Sequence, residues 1–306
     1  MKARELHIKI GRPSLKDYIR IVTDNLLPNC PVTKADILVA EDIFGPKVGI
    51  LKETTTRRKP SVVRGAVEPI PPAIMRQYRH VTLGADIMHV NGIPFFITVS
   101  QHIKFGTIEP LVSRRQEALI SAMKAVAQVY RRRGFQVTQA LMDGEFELLR
   151  GSLADCGIAL NSTARDEHVG EAERYIRTIK ERMRGIYNTL PYRHMPPRLV
   201  IEMGKHAIFW MNAFSNPNGI AGNRSPRSII TGVGINFNKL CRYQFGEYVQ
   251  MHEEHDNTMV PQTIGALSLR PTGNIQGSFY FFSLSTGRVI ARNRATLLPM
   301  PEDVID

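Results

Sequence analysis

The chain has 306 residues, 43% apolar and 22% charged, the composition of a globular protein with room for two or three domains. No apolar run reaches the length of a membrane span, and the N-terminal "MKARELHIKIGRP" lacks the apolar core of a secretory signal. Three scattered cysteines, Cys30, Cys156 and Cys241, exclude a disulfide scaffold and a CxxC zinc site, so the reading is an intracellular protein.

The formal charge is +12 and the isoelectric point 9.8. The excess lies in residues 1–76 (+6) and 77–232 (+7), while 233–306 carry −1. A basic protein of this kind points to a polyanionic partner, most often nucleic acid.

In chain order, "SLKDYIRIVTDNLL" predicts a helix capped by Ser14, with Leu15, Ile19, Val22 and Leu26 at helical spacing. "TKADILVAEDIFG" predicts a second, opened by a Thr33–Asp36 capping box and stopped at Gly45. The charged, Pro-rich "KETTTRRKP" and "VEPIPPAIM" read as a linker.

"VTLGADIMHV" and "IPFFITVS" flank Asn91-Gly92, a strong hairpin signal, and "FGTIEPLV" supplies a third strand. "RRQEALISAMKAVAQVYRRRG" is an amphipathic helix presenting Leu119, Met123, Val126 and Tyr130 on one face, ended by Gly134. A strand, "FQVTQALM", a short strand, "GIALNS", and a long helix from about Val169 to Ile186 follow. Three strands, helix, strand, short strand, helix is a mixed α/β order with an antiparallel hairpin. Beyond Gly232, "RYQFGEYVQMH", "TIGALSLRP", "GSFYFFSL" and "GRVIARNRATLLP" read as short strands of a small β-domain, in the manner of a barrel.

Three acids stand out. Asp86 alternates with Val81, Leu83, Ala85 and Ile87 and so faces the other side of its strand. Asp143 follows the end of "FQVTQALM", and Glu173 sits near the start of the long helix, where the helix dipole favours a carboxylate. Acids on two strands and a helix packed beside them can converge; such a cluster repels itself unless cations occupy it. Two Mg²⁺ ions would neutralise it and permit in-line attack at a phosphodiester. Each acid also has an ordinary reading: a solvated strand residue, a turn residue, and a first-turn acid rivalled by Glu171.

The long helix carries Ala172, Ile176, Ile179, Met183 and Ile186 as its apolar stripe. One position on, Glu173, Arg177, Lys180 and Arg184 form a second stripe, fit to grip phosphates or to stand in solvent as an i,i+4 pair.

"GADIMHVNGIPFFITVS", "LMDGEFELL" and "EHVGEAERYIRTIKERMRGI" together resemble the integrase core of copia-type long-terminal-repeat retrotransposon polyproteins. "SPRSIITG" is similar to the segment closing that core, and "LRPTGNIQGSFYFFSLSTGRVIARNRATLLPMP" resembles the SH3-like region after it. The likeness covers residues from about 76 to 302 and more weakly 14–58. It implies an RNase H-like mixed sheet flanked by helices, preceded by a small helical segment and followed by a small SH3-like β-domain. The expected division is a helical segment 1–58, a linker 59–76, a catalytic core 77–232 and a β-domain 233–306.

The resemblance also implies a catalytic and metal-binding triad at Asp86, Asp143 and Glu173, holding two Mg²⁺ (or Mn²⁺) ions, with no small-molecule cofactor. "EAER" matches the family's pattern at Glu173 better than at Glu171. Arg174, Arg177, Lys180 and Arg184 are the expected nucleic-acid contacts, and Glu145 and Phe146 match an acid-aromatic pair that shapes the turn. The implied activity is trimming and strand transfer of retroelement DNA into host DNA, by a homo-oligomer acting in the nucleus after a cytoplasmic particle stage, with no membrane partner. A catalytically silent nucleic-acid-binding remnant and an RNase H-type nuclease are the alternatives. Two departures stand out. Only 29 residues separate Asp143 from Glu173, fewer than is usual in the wider superfamily, and the shortening falls in "NSTARDEHVGE". The His/Cys zinc module usual upstream is not recognisable, His7 and Cys30 being the only candidates there.

Overall fold

A computed structural model describes residues 2–53, 67–162, 170–192, 194–253 and 260–306. Four helices open the chain: α1 (Lys2–Lys9), α2 (Leu15–Thr23), α3 (Lys34–Phe44) and α4 (Val48–Glu53). Ser14 caps α2, its hydroxyl accepting from the Asp17 N–H at 3.1 Å, and Thr33 and Asp36 close the capping box on α3. Of the expected stripe, Ile19 and Val22 pack against the core, while Leu15 and Leu26 are exposed and Tyr18 is buried instead. The cause is α1, which the sequence reading does not contain. The Tyr18 hydroxyl donates to the Ala3 carbonyl at 2.8 Å and the His7 ring meets Tyr18 edge-on, so α1 sets which side of α2 is covered.

The next elements are α5 (Pro72–Tyr78), β1 (His80–Val90), β2 (Ile93–Ser100), β3 (Gly106–Pro110), α6 (Gln116–Arg131) and β4 (Gln136–Met142). A 3-10 helix (Gly144–Leu149), α7 (Arg150–Ala154), β5 (Ala159–Ser162), α8 (Gly170–Tyr187), α9 (Pro197–Ala213), α10 (Pro226–Thr231) and α11 (Phe237–Leu240) follow. The expected linker is thus interrupted by α5, and its residues 59–66 lie outside the described residues. So do 163–169, the bulk of the loop ahead of α8.

The five strands form one mixed sheet in the order β3-β2-β1-β4-β5. β1, β2 and β3 run antiparallel in turn, while β4 is parallel to β1 and β5 to β4. This is the arrangement of an RNase H-like core. Asn91 and Gly92 both take positive φ, 49° and 77°, the backbone a tight two-residue hairpin demands. One face of the sheet is covered by α6, whose Leu119, Met123, Val126 and Tyr130 are buried against Val81, Leu83, Ala85 and Phe96. The other is covered by α8 and α9, with Ala172, Ile176, Ile179 and Met183 buried as the stripe predicts.

No element is predicted from sequence where α9 stands. It is buried around most of its circumference, so its apolar residues do not make a one-sided stripe. Its buried polar groups are answered internally: Glu202 pairs with Lys205 at 3.0 Å and Arg270 at 3.2 Å, and Asn212 exchanges hydrogen bonds of 2.8 Å with the Gly106 backbone.

The chain closes with β6 (Tyr248–His252), β7 (Thr263–Pro271), β8 (Phe279–Ser283), β9 (Val289–Arg292), β10 (Ala295–Leu297) and α12 (Glu302–Ile305). They make a second five-stranded sheet, ordered β10-β6-β7-β8-β9, in which β6 lies antiparallel to both β7 and β10. Contacts divide the chain into two units, each discontinuous in sequence. One joins Met1–Ser61 to Gly246–Ser268 and Tyr280–Ile305; the other joins Val62–Phe245 to Leu269–Phe279 and Asp306. Within the first unit the late strands return to the early helices, the Gln262 N–H donating to the Lys52 carbonyl at 3.1 Å. Among the described residues no helix is long and apolar enough to cross a membrane.

Candidate active site

The last paired residues of the parallel β1–β4 ladder are Gly84 and Leu141. Asp86 and Asp143 each lie two residues further on. Side chains alternate along a strand, so both belong to the same face at the C-terminal end of neighbouring parallel strands. That face is the one covered by α8, and α8 brings Glu173.

Asp86, Ile87, Glu173, Ile176, Arg177, Lys180 and Arg184 line a single hollow of about 340 Å³. The first acid and the third therefore meet one space, together with all three cations of the second α8 stripe. Asp143 is not among the lining residues, but its charge reaches the site. Burial raises the pKa of the half-buried Asp86 carboxyl, and the neighbouring carboxylates of Glu145, Asp143 and Glu173 raise it further. A hydrogen bond of 2.6 Å from the Ile87 N–H opposes these effects.

The acids around Asp143 are sorted by their partners. Glu147 is bound by Arg150, one contact being 2.9 Å, and that guanidinium holds its carboxyl down at about 2. Arg150 also reaches the Leu160 carbonyl at 2.9 Å, fastening the turn to β5. Glu145 pairs with Arg114 at 2.9 Å. Asp143 itself caps the 3-10 helix, accepting from the Gly144 N–H at 2.8 Å. Its turn role and its place at the strand end are both present. The electrostatic reach of Glu145 to Asp86 was missed from sequence, where Glu145 reads only as a turn residue. The signal for it is its spacing two residues past Asp143.

Glu171 and Glu173, two rivals in the sequence, are separated by the structure. Glu171 forms an ion pair with Lys104 and lines a different hollow, of about 710 Å³, with Arg174, Tyr175, Thr178, Arg182 and Trp210 among its walls. Arg174, expected to contact nucleic acid beside Arg177, therefore stands in that second hollow and not with the other three cations. Tyr175 belongs to the Glu171 side, next to the buried stripe of Ala172, Ile176, Ile179 and Met183 that separates the two faces. Its ring packs against Gly106 so closely that a β-carbon there would overlap the phenol oxygen.

Carboxylate oxygens are hard donors of the kind Mg²⁺ and Mn²⁺ take, and the mutual repulsion registered at Asp86 is what a bound cation offsets. The donor chemistry fits. The set is not drawn together: among the described residues no three His, Cys, Asp or Glu side chains stand close enough to hold one ion. His7 and Cys30 are engaged in the α1–α2 core, His7 Nε2 lying 2.8 Å from the Pro13 carbonyl and Cys30 Sγ donating to the Val32 carbonyl at 3.7 Å.

The chain is similar in fold to the catalytic core domain of BIV integrase, at 14% identity, over 49% of this chain and 92% of that one, with a TM-score of 0.37. No protein-family model matches the chain. No curated protein matches it either.

Proposed function

We propose that the chain is a metal-dependent polynucleotidyl transferase, joining the ends of one DNA to another as an integrase does. One observation carries the reading: Asp86 and Glu173 share a hollow whose rim is Arg177, Lys180 and Arg184, with the charge of Asp143 acting on Asp86. Acids surrounded by cations suit a substrate that is anionic everywhere and must be attacked at one phosphorus.

Asp86, Asp143 and Glu173 would hold two Mg²⁺ or Mn²⁺ ions. When bound, such ions supply charge neutralisation at the phosphate and lower the pKa of an attacking water or hydroxyl. Arg177, Lys180 and Arg184, at i, i+3 and i+7, would grip successive backbone phosphates without reading bases. Ile87 and Ile176 form the apolar part of the wall and limit water at the reacting bond. By the likeness of sequence stated above, the substrate would be retroelement DNA, its partner host DNA, and the working form a homo-oligomer.

The test is strand transfer of a labelled DNA end into plasmid with Mn²⁺, Mg²⁺ or EDTA, comparing the protein with Asp143→Asn. Joined product that requires metal and disappears in the variant supports the proposal. A second reading, nucleic-acid binding without catalysis, is favoured by the carboxylates standing apart. It is the outcome if both proteins bind DNA equally and neither joins it. Hydrolysis of RNA in a hybrid without joining would instead assign an RNase H-type nuclease.

A further inference from the structure

A third charged cavity lies in the first unit, remote in sequence from the acids. It measures about 220 Å³ and is lined by Arg4, Ile8, Arg12, Lys47 and Gly49. Three of the five lining residues are cations and none is an acid. Its volume falls below the roughly 300–1,000 Å³ of pockets that enclose a drug-sized molecule, so a compact ligand is the one that fits.

The cations are held in place by the fold. Arg4 on α1 donates from Nη1 to the Gly45 carbonyl at 3.4 Å, with its guanidinium 5.1 Å from the centre of the Phe44 ring. Lys47, between α3 and α4, donates from Nζ to the Arg4 carbonyl at 3.0 Å. Arg12 follows α1 in a left-handed turn, φ 55°, and its N–H donates to the His7 carbonyl at 2.9 Å. A left-handed backbone is costly for a residue with a side chain, so the turn that brings Arg12 to the cavity is maintained against a local penalty.

Two titratable groups nearby register the resulting potential. Burial, then the charge of Arg4, bring Lys47 down to about 8; Arg12 adds to this and Glu41 opposes it. Burial lowers His7, Lys47 and Arg12 lower it further, and the Pro13 carbonyl and Glu41 act the other way. Glu41 is an acid whose charge reaches both His7 and Lys47, and it does not line the cavity. A compact anion would relieve the crowding, and the planar donor fork of arginine matches phosphate oxygens.

We propose that Arg4, Arg12 and Lys47 form a binding site for a phosphate group, taken either as the free anion or as part of a nucleic-acid backbone. The site does not depend on the catalytic reading of Asp86, Asp143 and Glu173, and its test makes no use of strand transfer.

The experiment uses the whole chain and inorganic phosphate, followed by calorimetry in chloride buffer of matched ionic strength. Binding that weakens about tenfold or more in Arg12→Gln and in Lys47→Gln, and less in Arg12→Lys, is the expected result. Circular dichroism melting of each variant checks folding. A measurement on the unsubstituted protein needs no variant: at pH 8 Lys47 should be acylated readily by an amine reagent, and phosphate, but not equal chloride, should protect it. The second arm titrates a labelled DNA duplex against KCl. A salt slope lower by about one unit per cation removed identifies backbone phosphate as the ligand, and an unchanged slope identifies the free anion. Absence of phosphate binding together with an unprotected Lys47 overturns the proposal. So does a changed salt slope without either, because that is diffuse attraction and not a site.

Discussion

The two sides of α8 carry nearly the same chemistry and meet different partners. One side bears Glu173 with Arg177, Lys180 and Arg184; the other bears Glu171 with Arg174, Thr178 and Arg182. By composition, each is an acid at the head of a row of cations. What separates them is the partner supplied by the sheet. Glu171 meets Lys104 and is neutralised by it, whereas Glu173 meets Asp86, another acid. Lys104 sets a cation against Glu171, while burial and the neighbouring carboxylates of Glu145, Asp143 and Glu173 raise the pKa of Asp86 on the other side. The same helix therefore presents one acid paired with a lysine and another that shares a hollow with a strand-borne acid.

The comparison breaks if the two acids prove equivalent. Glu173→Gln and Asp143→Asn should each lower the yield of joined product by about a hundredfold or more, the loss expected when a metal-binding set is damaged. Glu171→Gln should leave that yield nearly unchanged, so a large loss there would reverse the assignment. The next effect in size concerns the seat of Tyr175 on the Glu171 side. Gly106→Ala forces Tyr175 from its seat and should destabilise the core by about 1–3 kcal/mol, read as a lower urea midpoint.

Smaller effects sharpen the contrast. If Arg177, Lys180 and Arg184 each neutralise a phosphate, replacing all three by Gln should reduce the salt slope of DNA binding by about 2 to 3 units. The pair Arg174→Gln, Arg182→Gln should change it much less. Losing the part-exposed Lys104–Glu171 pair through Glu171→Gln should cost about 0.5 kcal/mol, diminishing in high salt. Asp86 gives a test of sign. Its pKa is raised in the folded protein, so its contribution is most favourable below the ordinary value of 3.8 and is lost as pH rises through the folded value. Asp86→Asn should therefore melt higher than the unsubstituted protein at pH 7 in EDTA, with the gap closing as the pH falls toward 4.

Much of this was legible from sequence where the signal is local. The Thr33–Asp36 box, the Asn91-Gly92 turn and the stripes of α6 and α8 each depend on residues a few positions apart, and each is present. What failed depends on distant chain. Tyr18 replaces Leu15 in the core because α1 ties to its hydroxyl, and α9 left no clean periodicity because it is covered nearly all round. The grouping of the late strands with the early helices depends on contacts more than two hundred residues apart, such as Gln262 with Lys52. The same distinction holds at the candidate site. Asp86 stands out by strand alternation and Glu173 over Glu171 by the family resemblance and the cationic stripe it heads, but the separation of Arg174 from Arg177 depends on how α8 is turned against the sheet.

That turning has a mechanical consequence. A helix advances 1.5 Å and rotates 100° with each residue, so a slip of one position would swing Glu173 well away from Asp86. A smooth apolar stripe tolerates small slides, since one aliphatic contact replaces another at nearly equal energy. The phenol of Tyr175 lodged at the missing side chain of Gly106 does not, because only one residue on β3 leaves that space. It works as an indexing pin: roll and axial position are set together, two residues from the acid whose aim depends on them.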